Sequence, residues 1–332
     1  MDGKVITSDI LMEMDSNGKV KTRREMISVV ASVYNFESGV RDLYTSLSEV
    51  MQKINRPYEL IFVDDGSSDQ TNLILSAIEK EDRHVKIIKM RITFGEAASF
   101  DAGVENATGD VVVYVTARVR VAANGILDML KALEQGSDMV VGWRHPRADS
   151  LLNQMISRMF NAITRKISGL KFHDMNSGVL VAKREVLENL PIYGAFTHFL
   201  PIMAVRKGYK VTETKIQQLK GSFRQSKYFN EYLQRLLDIL TVVFLTKYSK
   251  KPIHFLGFVG TLFTLLGLGF NVYLLIYRLL EVGPISGRPL LLLGSLFLVI
   301  GIQMISIGLI GEMIIFTHAR DIKEYNIEKV LE

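Results

Sequence analysis

Residues 58–71 read YELIFVDDGSSDQT. An unbroken apolar run, Leu60–Val63, ends in two adjacent carboxylates, Asp64 and Asp65. Gly66 then permits a tight turn, and Ser67, Ser68 and Asp69 are N-cap candidates for an amphipathic helix over 69–81. A strand apolar at successive positions is the kind buried on both faces of a mostly parallel sheet. Four other runs share the pattern: MISVVASVY (26–34), VKIIKM (85–90), GDVVVYVT (109–116) and SDMVVGW (137–143). Helical patterns at 39–54, 96–106 and 125–135 alternate with them. The order predicts a doubly wound α/β domain, in which ligands sit beyond the carboxyl ends of the strands. The residues that follow each strand are therefore the candidates. Carboxylates there can accept from nucleobase N–H groups or ribose hydroxyls; ordinary turn chemistry would use the same residue types.

The 332 residues are 48% hydrophobic and 23% charged, which excludes a disordered or collagenous chain. The mean hydropathy of +0.18 is unevenly distributed. Phe255–Tyr277 and Pro289–Gly311 each run 23 residues without Asp, Glu, Lys or Arg, enough to cross ~30 Å of hydrocarbon. Arg278–Arg288, with Gly283, Pro284 and Gly287, reads as the turn between two membrane helices. Residues 206–251 carry eleven Lys/Arg against three Asp/Glu, a basic excess that suits an anionic leaflet or a lipid phosphate. Phe229–Lys247 has the pattern of a helix lying at the bilayer interface. Without cysteine there are no disulfides, thiolate nucleophiles or cysteine–zinc sites. The first residues lack a signal-peptide core, so the N-terminal domain and the tail are both expected on the cytoplasmic side. Nucleic-acid binding is not expected, because the basic residues abut the membrane segment.

Expected boundaries are an N-terminal extension, 1–25, loosely ordered; an α/β domain, 26–225; a juxtamembrane interfacial region, 226–252; membrane helices, 253–278 and 288–316; and a cytoplasmic tail, 317–332. Gly257, Gly260, Gly267 and Gly269 allow close helix approach, and with it a homo-oligomer through the spans.

Val33-Tyr34-Asn35, then DDGSSDQT, then FGEAASFDAG (94–103) and ATGDVVVYV (107–115) resemble the family 2 glycosyltransferases of the GT-A fold. GSFRQSKYF (221–229) ahead of the spans and GLIGEM (308–313) closing the second narrow the resemblance to polyprenyl-phosphate glycosyltransferases. It implies a GT-A-like fold and transfer of sugar from a nucleotide sugar to a lipid phosphate at the cytoplasmic face. It also implies nucleotide-side roles for Tyr34, Asn35, Glu37, Asp64, Asp65, Gly95 and Thr116, and acceptor-phosphate roles for Arg144, Arg147, Ser226 and Lys227. Asp174 is kept from the family pattern and is a candidate catalytic residue.

One departure bears directly on the chemistry. The family places Asp-x-Asp after the GDVVVYV strand to hold a divalent metal; this chain has Thr116-Ala117-Arg118, with no carboxylate between Asp110 and Asp128. Magnesium or manganese is not expected there, since Thr, Ala and Arg do not make an oxygen-rich cation site. Two explanations stay open. Arg118, as a candidate catalytic residue with Arg120 beside it, stabilises the leaving diphosphate in place of the metal. Alternatively, the chain is a catalytically silent, membrane-anchored binding relative that partners an active glycosyltransferase.

Overall fold

The structure, a computed structural model, describes residues 10–14, 20–117, 121–146, 172–175, 177–190, 199–219 and 252–318, with positions 157, 158, 161, 162, 165 and 192 between. The chain divides into two compact units, Met1–Ile239 and Leu240–Glu332.

The first unit is built on a seven-stranded sheet. Its strands are β3 (Ile27–Val33), β4 (Tyr58–Asp64), β5 (Val85–Lys89), β6 (Val111–Thr116), β7 (Met139–Arg144), β8 (Val179–Lys183) and β9 (Val211–Ile216), in the order β5-β4-β3-β6-β8-β7-β9. Every pairing is parallel except those of β8, which runs antiparallel to both β6 and β7. β8 was not anticipated: Val179–Ala182 is too short an apolar run for periodicity to separate strand from helix.

Alternation along β3 explains the two layers. Val29, Ala31 and Val33 face one core with α1 (Val40–Ile54), α2 (Thr71–Glu81) and α4 (Gly125–Glu134). Val30 faces the other with α3 (Glu96–Glu105), α5 (Arg184–Glu188) and α6 (Leu200–Arg206). All seven residues of β3 are buried, as a central strand covered on both faces requires. α3 packs so closely that a Cβ on Gly103 would lie 2.2 Å from Val30 Cγ1. The connections run from β3 towards β5 on one side and return to β6 on the other. The switch point therefore lies between the carboxyl ends of β3 and β6, where Ser32 pairs with Thr116.

Within the segment expected as the N-terminal extension, the described residues form two strands. β1 (Ile10–Met14) and β2 (Val20–Arg24) pair antiparallel, with Met14 opposite Val20. The expected interfacial helix, Phe229–Lys247, lies outside the described residues, as do the tail from 319 and most of the helix expected over 151–167.

The second unit holds α7 (Pro252–Leu279) and α8 (Pro289–His318), each long and apolar enough to cross a membrane and with most of its surface facing outward. Their contact is backbone on backbone. A Cβ on Gly260 would meet Gly301 O at 2.7 Å, and one on Gly267 would meet Leu298 N at 2.5 Å and Gly294 O at 2.6 Å. Two of the four glycines expected to serve a homo-oligomer are thus occupied within the hairpin, whereas Gly269 faces open space. Polar side chains in the spans bond within their own helix, Thr264 Oγ1 to Gly260 O (2.8 Å) and Asn271 Nδ2 to Gly267 O (2.7 Å). Replacing Gly267 with Ala should force the helices apart and lower stability by ~1–3 kcal/mol, while Gly269→Ala should have little effect. Thermal unfolding of the two variants in detergent compares them directly.

Candidate functional site

At the carboxyl edge of the sheet, the loops after β3 and β4 are fastened to each other. Asn35 has φ 46°, a left-handed conformation that Asn tolerates better than most residues. Its N–H donates to Ser67 Oγ (2.9 Å), and its Oδ1 accepts from the Ser68 N–H (2.9 Å). The exchange is repeated two residues on: Glu37 N–H donates to Asp69 Oδ2 (3.1 Å), and Gln70 N–H donates to Glu37 Oε2 (2.9 Å). Between them, Phe36 N–H donates to Thr71 Oγ1 (2.8 Å). The residues expected to cap α2 thus serve this cross-loop clasp, and Asp69 Oδ1 in addition accepts from the N–H of Thr71, the first residue of the helix (3.0 Å). Burial pushes the Asp69 carboxyl up, but hydrogen bonds from the Thr71 hydroxyl and from the Thr71 and Glu37 N–H groups outweigh it, leaving the pKa below its ordinary value. With the folded pKa lowered, this contribution is present above the ordinary aspartate range and is lost on acidification through it.

Asp64 and Asp65 are both buried. Asp64 accepts from the Ser67 N–H (3.0 Å) and from Asn72 Nδ2 (3.2 Å), closing its own turn. Asp65 reaches the loop after β5: its Oδ1 accepts from the Phe94 N–H (2.8 Å), and its Oδ2 from the Gly95 N–H (3.0 Å). Gly66, at φ 70°, lies where a Cβ would be 2.6 Å from the Ile92 carbonyl carbon, so both backbone angle and space demand glycine. Gly95, at φ 97°, opens α3. Tyr34 remains 43% exposed beside this framework.

Thr116 is buried at the end of β6; its N–H donates to Gly178 O (3.0 Å), and the Ala117 N–H donates to Ser32 O (2.9 Å). A divalent cation bound after this strand would need carboxylate or other oxygen ligands, and a buried threonine followed by alanine does not fit one. Among the described residues, no group of three or more Asp, Glu or His is placed to hold a metal. An adjoining cavity of about 220 Å³ is lined by Phe36, Leu43, Thr116, Ala117, Val121 and Leu219.

The antiparallel course of β8 brings the segment before it to the same edge. There Asp174 accepts from Arg144 Nε (2.6 Å) and Nη2 (2.9 Å), a two-point ion pair with both side chains buried. The loop carrying Asp174 is held in turn by Glu213 of β9, whose Oε1 accepts from the His173 N–H (2.7 Å) and the Asp174 N–H (3.1 Å). Glu213 Oε2 lies 2.9 Å from His173 Nδ1, and the imidazole stacks on Trp143 at 4.2 Å. Glu213 was not a candidate from sequence, because a lone acidic residue in a short strand carries no spacing signal.

Tyr34, Asn35, Glu37, Asp64, Asp65, Gly95, Thr116, Arg144 and Asp174 therefore gather at one edge. Arg118, Arg120, Arg147, Ser226 and Lys227 lie outside the described residues. A larger cavity of about 650 Å³, lined by Arg56, Asp110, Glu134, Arg184 and Glu188 among others, sits at the opposite edge. There Arg56 is paired with Glu25 (2.6 Å) and Glu134 (2.9 Å), which reads as a structural network.

The chain is similar to known proteins along most of its length. Dodecaprenyl-phosphate galacturonate synthase of Rhizobium johnstonii is 28% identical over 309 residues, covering 89% of each chain. Undecaprenyl-phosphate 4-deoxy-4-formamido-L-arabinose transferase of Yersinia pestis is 29% identical over 310 residues, covering 92% of this chain and 93% of that one. Among solved structures, glucosyl-3-phosphoglycerate synthase from Mycobacterium tuberculosis with Mn2+ and UDP-glucose superposes with a TM-score of 0.54 at 16% identity. That match covers 66% of this chain and 79% of the other, and supports the fold alone. The glycosyl transferase family 2 model matches residues 28–190, the stretch that runs from β3 to β8 with their carboxyl-edge loops.

Proposed function

We propose that this membrane-bound glycosyltransferase moves a sugar from a nucleotide sugar to polyprenyl phosphate at the cytoplasmic face of the membrane. The observation that carries the reading is the extent of the match. Similarity to two polyprenyl-phosphate sugar transferases runs through most of the chain, well beyond the family 2 domain.

In the proposed reaction, an oxygen of the lipid phosphate attacks the anomeric carbon. The bond from that carbon to the nucleoside diphosphate breaks, and the electron pair leaves with the diphosphate. The attacking phosphate is already anionic near neutral pH, so a strong general base is not required. The developing charge is on the leaving group. Arg118, two residues beyond Thr116, supplies fixed positive charge there in place of a metal. Tyr34 and the Asp65-anchored loop form the nucleotide side; Arg144, Arg147, Ser226 and Lys227 form the acceptor side.

Three outcomes test the reading. Purified chain, given polyprenyl phosphate and a panel of labelled nucleotide sugars, should transfer one of them in excess EDTA, and Arg118→Ala should abolish transfer without unfolding the domain. Chelator-sensitive transfer would refute the arginine role, and absence of any nucleotide binding would favour a silent subunit. Asp65→Ala removes the acceptor for the Phe94 and Gly95 N–H groups. It should raise the KM for the nucleotide sugar about tenfold to a hundredfold and leave that for the lipid unchanged, as steady-state kinetics would show. In sealed vesicles, protease should reach the N-terminal domain and the C-terminal tail from the same side; access from opposite sides would sink the two-span topology.

A further inference from the structure

We propose that Glu213 is a positioning residue for the acceptor side, holding Arg144 in place through Asp174. This rests on the acceptor-side reading of Arg144 given above. Among the described residues, the hydrogen bonds of Glu213 go to His173 and Asp174. Its carboxylate fixes three groups of one short segment: the His173 N–H, the Asp174 N–H and the His173 imidazole. Two of these are backbone donors, so they hold the path of the chain at 173–174 and not merely a rotamer. Asp174 then fixes the Arg144 guanidinium at two points, and its Oδ2 also accepts from the Arg144 N–H (3.3 Å).

Geometry makes the relay stiff. β9 pairs with β7 in parallel register, Glu213 opposite Val141 and Ile216 opposite Arg144, so donor strand and acceptor strand cannot slide independently. Glu213 is itself largely buried, with its side chain 10% exposed. A buried carboxylate that receives several hydrogen bonds has few alternative conformations. The imidazole is clamped from the other direction: Trp143 stacks on it at 4.2 Å with an interplanar angle of 13°, and Lys215 Nζ lies 5.1 Å from the Trp143 ring centroid. Trp143 is the only tryptophan in the chain, so its emission reports the position of the 173–174 segment without interference.

The experiment uses the full-length chain in detergent, as Glu213→Ala and Glu213→Gln. Glutamine keeps an oxygen for the two backbone donors, and its amide can donate to His173 Nδ1. Glu213→Ala should change the Trp143 emission and raise the apparent KM for polyprenyl phosphate about tenfold, with the KM for the nucleotide sugar unmoved. Glu213→Gln should stay close to the unaltered chain in both readouts. In an Arg144→Ala background, Glu213→Ala should add almost nothing, since both changes act through one contact chain. Unchanged emission in Glu213→Ala would overturn the proposal whether or not the unaltered chain transfers sugar, because that readout needs no substrate. Changed emission with both KM values unmoved, or with both raised equally, would also overturn it. Failure of the unaltered chain to transfer to any polyprenyl phosphate strikes the proposed function and leaves the fluorescence comparison to decide whether Glu213 holds the segment.

Discussion

A parallel sheet covered by helices on both faces leaves almost no place for polar side chains except at the ends of its strands. β3 and β6 are buried along their whole length, and β4 nearly so. The loops that must turn the chain at the carboxyl edge bring backbone N–H groups that need partners. This chain answers with side chains from neighbouring loops. Asn35, Glu37, Ser67, Asp69 and Thr71 satisfy one another's backbone, and Asp65 satisfies the loop after β5. Burial of the strands and organisation of the site are consequences of the same constraint.

The polar residues at this edge divide into two sets. On the β3–β4–β5 side, carboxylates receive backbone N–H groups and fasten the loops into a rigid platform. On the β6–β8–β7–β9 side, Arg144, Asp174 and Glu213 form a charged relay made possible by the antiparallel strand β8. Thr116 lies at the seam, bonded to Gly178 ahead of β8. The sequence that continues from this seam carries no Asp or Glu before Asp128.

Much of this was legible in the sequence. The five long apolar runs identify β3 to β7, and the two uncharged stretches identify α7 and α8 to within a few residues, because both signals rest on burial over many positions. The strand-end rule located Tyr34, Asp64, Asp65 and Thr116 at one edge. What could not be read was partner choice. Asn35 and Glu37 are bonded to Ser68 and Gln70, and spacing says nothing about which loop a side chain meets. Arg144 and Asp174, 30 residues apart, were separate candidates and are one ion pair. β8 escaped because its apolar run is too short for periodicity to separate strand from helix, and β2, VKTRR, because it is almost wholly polar.

The clasp between the loops after β3 and β4 has an evolutionary consequence. Each loop supplies both donors and acceptors to the other, so an insertion or deletion in either one breaks bonds in both. The two loops can change only as a matched pair. Descendants of this sequence that acquire a new sugar donor should therefore keep both loop lengths and diversify instead where the constraint is weaker, such as at the exposed Ile92 and Phe94 between β5 and α3. The fastening that makes the platform rigid also directs where its chemistry is free to drift.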